Sequence, residues 1–148
     1  MKTLIIGLWI LMSSLVVAHD GPHGSRISDA PLRGGVVAPV VEVVTGGHHD
    51  GPIRYKCELL RAEDGTVRLY FYTDKMVPIP VSKFSKLAKA TLEFKQGKTW
   101  VTRSFILNQR GDLFVGALPK GITRRPYTID ITFTENGRVN RVSFAHLD

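Results

Sequence analysis

The stretch Tyr55–Thr73, YKCELLRAEDGTVRLYFYT, decides the fold class. It holds two alternating runs joined by a turn. Tyr55, Cys57 and Leu59 point one way and Lys56 and Glu58 the other. Beyond the break, Val67, Leu69 and Phe71 share a face opposite Arg68, Tyr70 and Tyr72. A period of two, carried by β-branched and aromatic residues, marks strands with one buried face. Glu63-Asp64-Gly65 supplies the turn, because Gly accepts positive φ and Asp bonds to its own backbone. The stretch therefore reads as a hairpin at the centre of an all-β domain.

The same pattern recurs on both sides. Upstream, Val36–Val44 is an apolar run in which Pro39 removes a ladder donor, so it reads as an edge strand or as two pieces bent at the proline. Downstream, residues 74–90 break the alternation. Pro78 and Pro80 demand extended backbone, and Phe84, Leu87 and Ala88 could form a short helical face opposite Lys83, Lys86 and Lys89. Alternation returns at Ala90, Leu92 and Phe94, turns at Gln96-Gly97-Lys98 and continues through Trp100–Leu107 as a second hairpin. Arg110-Gly111-Asp112 reads as a turn into Leu113–Leu118. Tyr127, Ile129, Ile131 and Phe133 alternate with polar partners up to Asn136-Gly137, a type I′ hairpin signal. About seven or eight short strands with regular turns predict an immunoglobulin-like antiparallel β-sandwich over residues 33–148.

Ahead of that domain, MKTLIIGLWILMSSLVVA has a basic n-region at Lys2, an apolar core and small residues up to Ala18. It reads as a signal peptide over residues 1–18, too short for the roughly 20 apolar residues of a spanning helix. The expectation is an exported, periplasmic or secreted protein with no stable membrane insertion after cleavage. Cutting after Ala18 leaves 130 of the 148 residues, and loss of Lys2 lowers the formal charge from +7 to +6. Outside the cytoplasm that charge does not point to nucleic acid. Residues 19–32, HDGPHGSRISDAPL, are poor in large apolar side chains and read as a flexible N-terminal segment. Cys57 is the single cysteine, so no intrachain disulfide forms. Its place on the apolar face of its strand predicts a buried, inert thiol.

No HExxH, GxSxG, CxxC or phosphate-binding glycine loop occurs, and the acids fall mostly on solvent-facing strand positions or in turns. The reading is therefore a non-enzymatic protein. Histidine is the unevenly spread residue: His19, His23, His48 and His49 all precede the central hairpin, with His146 apart near the C-terminus. Imidazole suits Cu(II), and a mature His19 would offer its free amine and its ring nitrogen to one ion, with His23, His48 or His49 completing the set.

The run Gly34-Gly35-Val36-Val37, the strand Tyr55-Lys56-Cys57-Glu58-Leu59, and Asp64-Gly65 leading into Leu69-Tyr70-Phe71-Tyr72, with Pro78 and Pro80 after it, resemble a family of small exported proteins. That family accompanies heavy-metal efflux pumps of the resistance-nodulation-division type. Its members carry a His-rich segment after the signal peptide, an HGG motif, an aromatic-His-aromatic-Glu-Leu strand and a DG turn into a LYLYD-like strand. The resemblance spans Arg33 to about Ala90 and implies an exported β-sandwich in a metal-resistance setting, with an efflux component as a candidate partner. Arg33 stands where the family has the His of HGG, and Lys56 where it has the strand His. A metal site would then rest on the N-terminal segment and the His48-His49 loop. Two functions follow: binding or buffering of a copper-like transition metal, or an envelope interaction module using exposed strand faces or a basic surface, with no metal role.

Overall fold

The structure, a computed structural model, describes residues 30–44, 51–122 and 126–147. The proposed signal peptide, most of the N-terminal segment and all four candidate metal ligands, His19, His23, His48 and His49, lie outside these residues. Eight strands are formed: β1 (Val36–Glu42), β2 (Ile53–Arg61), β3 (Thr66–Tyr72), β4 (Leu87–Gln96), β5 (Thr99–Arg110), β6 (Leu113–Ala117), β7 (Tyr127–Glu135) and β8 (Arg138–Leu147).

These strands close into a barrel of order β1-β2-β3-β6-β5-β4-β7-β8. The all-β expectation holds, and the sandwich is corrected. The decisive contact joins the first and last strands: β1 pairs with β8 at Val40↔Val142, Val41↔Arg141 and Glu42↔Asn140. An inward-apolar, outward-polar alternation is common to sandwiches and small barrels, so strand patterns alone do not separate them. Closure depends on which non-adjacent strands pair. Here β4, β5 and β6 are inserted in reverse order between β3 and β7, with β3–β6 and β4–β7 as the non-local ladders.

The local readings are mostly retained. β2 and β3 form the central hairpin, with Cys57↔Phe71 and Leu59↔Leu69 opposed. β7 and β8 turn at Asn136-Gly137, both at positive φ. β1 runs unbroken through Pro39, which pairs with Lys56; the pairing of β1 with β8 begins only at Val40, so Pro39 has a neighbour strand on one side alone. The expected helical face at 84–88 is reduced to a 3-10 turn at Val81–Lys83, while Leu87 and Ala88 already belong to β4.

The interior is filled by side chains. Phe71, Phe84, Phe114 and Phe133 form a cluster with ring centroids 4.7–6.4 Å apart, flanked by Val40, Leu92, Leu107, Ile129 and Ile131. Cys57 is fully buried among them, and burial pushes its thiol well above its ordinary pKa, as expected of an inert core cysteine. Lys89, Glu93 and Lys95 stand exposed on the outer face of β4. Apolar inside and charged outside is the reverse of a membrane-spanning barrel.

Candidate functional site: a strapped carboxylate and an arginine-walled cleft

Glu58 alternates with the buried Cys57 and Leu59 and so faces outward from β2, yet it is completely inaccessible to solvent. The chain segment before β1 crosses the outer face of β2 as a strap and hydrogen-bonds to it. The amides of Arg33 and Gly35 donate to Oε1 at 2.8 and 2.9 Å, and that of Leu32 donates to Oε2 at 3.1 Å. The Tyr72 hydroxyl completes the set at 3.0 Å to Oε2. Four donors replace the water the carboxylate has lost, which is the condition for burying it. Gly34 turns the strap at φ +80°, and a Cβ on Gly35 would overlap the Leu59 carbonyl. Only glycine lets the backbone lie this close.

The strap delivers Arg33. Its guanidinium lies over the Tyr70 ring, 4.2 Å from the centroid, a cation–π contact. A hydrogen bond with Tyr72, with Tyr70 and Glu58 nearby, raises its pKa above the ordinary value. Burial, and then Glu58, push the Tyr72 hydroxyl up against the opposing effect of Arg33. The hydroxyl thus remains a donor to Glu58. Arg33, Tyr72 and Glu58 form a relay from exposed cation to buried anion.

Beside this relay opens a cleft of about 550 Å³. Tyr70 and Tyr72 line it together with Arg33, the Pro78-Ile79-Pro80 segment and the Asp112-Leu113 turn. Pro78 is held there by a bridge to Tyr72. The lining thus combines a guanidinium, a carboxylate, aromatic rings and aliphatic carbons. Both positions where the resemblance has histidine border this face: Arg33 bonds to Tyr72, and Lys56 is the cross-strand partner of Tyr72 and donates to the Asp74 carbonyl.

A second buried acid closes one end of the barrel. Glu135 accepts from the Tyr55 hydroxyl at 2.8 Å through each oxygen and pairs with Lys83 at 3.2 Å and Arg54 at 3.5 Å. Burial works against its charge, but Tyr55, Lys83 and Arg54 outweigh it and hold the carboxyl below its usual pKa. Arg54 and Arg138 also reach Glu42.

Among the described residues no group of three or more His, Cys, Asp or Glu side chains could hold a metal ion. Sequence reasoning missed the Glu58 site because it assigned strand acids to solvent. A signal was present: Tyr70 and Tyr72 occupy the polar parity of β3, and two aromatic side chains there mark an outer face that something covers. No protein-family model matches this chain, and no curated protein or solved structure matches it significantly.

Proposed function

We propose that this is an exported, non-catalytic binding protein whose ligand sits in the cleft beside Tyr70 and carries opposite charges at its two ends, as a free amino acid or short peptide does. The observation that carries this reading is the Arg33 guanidinium, held over Tyr70 by a strap tied to Glu58. A pre-positioned guanidinium with unused donors suits a carboxylate. Asp112 supplies the opposite sign for an ammonium, and Tyr70 with the proline segment receives an apolar body.

The test is an NMR titration of the mature protein with free amino acids and dipeptides, each beside its N-acetylated and its C-amidated form. The zwitterions should shift the amide signals of Arg33–Gly35 and Tyr70–Tyr72. Blocking either charge should weaken binding ~10-fold, since a charge-assisted hydrogen bond contributes about 1.5–3 kcal/mol. Arg33→Ala should erase the discrimination against amides, and Asp112→Ala that against acetylated forms. If no zwitterion moves those signals, the reading fails.

A second reading, copper binding through His19 with His23, His48 or His49, draws on chain length. The Gly51 amide donates to the Glu42 carbonyl at 2.9 Å. From Ile53, beside it, to Glu58 under the strap is five residues of β2, about 17 Å. Nine residues separate His23 from Leu32, a chain length of up to ~30 Å when extended, which exceeds that ~17 Å. The reading expects one Cu(II) per mature chain, bound more tightly than Zn(II) and released as pH falls through ~6.5. A copper titration in which His19→Ala, or a form with one extra N-terminal residue, binds like the parent counts against it.

A further inference from the structure

One seam of the barrel is short. β5 has 12 residues and β6 has 5, and they pair only at Asn108↔Val115, Gln109↔Phe114 and Arg110↔Leu113. Gly116 marks the end of that approach, since a Cβ there would stand 2.8 Å from the Ile106 carbonyl oxygen. From Thr99 to Phe105, β5 has β4 on one side and no strand on the other among the described residues.

The register says which groups this edge presents. Gln96 and Thr99 close a two-residue turn at Gly97-Lys98, so that pair is hydrogen-bonded and every second pair after it is not. Trp100, Thr102 and Ser104 therefore direct their N–H and C=O groups away from β4, and all three are exposed. Trp100 is 68% exposed, the highest value among the large apolar side chains described. An open edge with an aromatic anchor suits an added strand: main-chain bonds give affinity and alternate side chains give selectivity.

Charge selects the occupant. Residues 86–110 carry Lys86, Lys89, Lys95, Lys98, Arg103 and Arg110 against the single acid Glu93. This hairpin thus carries a net +5 of the chain's formal +7. A second copy docking edge to edge would bring two such hairpins together, and like charges across paired strands are unfavourable. We propose that the open edge of β5, Thr99 to Phe105, docks an extended acidic segment of a partner protein, which adds to the sheet as a further antiparallel strand.

The probe is acetyl-Glu-Val-Glu-Val-Glu-Val-Glu-amide, titrated into mature protein beside its Lys-for-Glu counterpart. The acidic peptide should shift and slow the exchange of the Trp100, Thr102 and Ser104 amides, weaken with added salt, and leave the cleft signals at Tyr70–Tyr72 unmoved. The basic peptide should not bind. Thr102→Pro removes a donor that faces outward, so the β4–β5 ladder should persist while peptide binding is lost. Several outcomes overturn the proposal: no shift with the acidic peptide, equal binding of both peptides, or binding that survives Thr102→Pro with β5 still folded. Concentration-dependent protection of those amides in the protein alone also overturns it, in favour of self-pairing.

Discussion

Glu58 and Glu135 are both buried acids within strands, and they are stabilised in opposite ways. Glu135 follows Tyr127, Ile129, Ile131 and Phe133 on the inward parity of β7, and meets a tyrosine hydroxyl, Lys83 and Arg54 at the barrel end. Glu58 lies on the outward parity of β2, yet it is the less accessible of the two, 0% against 7%. It is covered by backbone: three strap amides and the Tyr72 hydroxyl. Cations paired with Glu135 hold an end cap by charge. Neutral donors on Glu58 hold the backbone of the segment that carries Arg33 over Tyr70. The Glu135 cluster therefore supports the barrel, and the Glu58 cluster builds the cleft.

Removing each carboxylate sharpens the contrast. Glu58→Ala is expected to have the larger effect, ~2–3 kcal/mol in denaturant unfolding, because it strands Tyr72 and releases three amides at once. Hydrogen exchange should quicken at Leu32, Arg33 and Gly35, and cleft binding should go with the strap. Protected strap amides in that variant would mean the strap is held by something other than Glu58.

Glu135→Gln should cost less at neutral pH, about 1–2 kcal/mol, since Tyr55 keeps an acceptor and the cations Lys83 and Arg54 are 35% and 28% exposed. Its signature is the pH dependence. The folded carboxyl titrates below its ordinary value of 4.5, so its stabilisation is present above that value and lost as pH falls through the lower folded one. The gap between parent and variant should therefore close in acid. A gap independent of pH between 7 and 3 would show that Glu135 acts by packing alone and would dissolve the contrast.

Much of the local structure was legible. The Asp64-Gly65 and Asn136-Gly137 turns, the parity of Cys57 and the hairpins around them follow from steric and hydrophobic rules that act within a few residues. Alternation in β7 places Glu135 on the apolar face as well, a signal that assigning strand acids to solvent overlooks. Glu58 was not legible, because its burial comes from a segment 23 to 26 residues earlier in the chain, and nothing in YKCEL announces what will lie over it.

The sequence by itself determined that this chain forms paired, one-face-apolar strands with a buried cysteine. Only the tertiary structure decided that the strands close into a barrel, that Arg33 stands over Tyr70, and that β5 outruns β6 to leave an open edge. The first two rest on pairing between distant segments, Val40 with Val142 and Gly35 with Glu58, and the third on β6 ending after five residues while β5 runs for twelve. Alternation states which face of a strand is apolar, and it is silent on which strand will lie alongside, because every apolar face in the chain is an acceptable neighbour to every other.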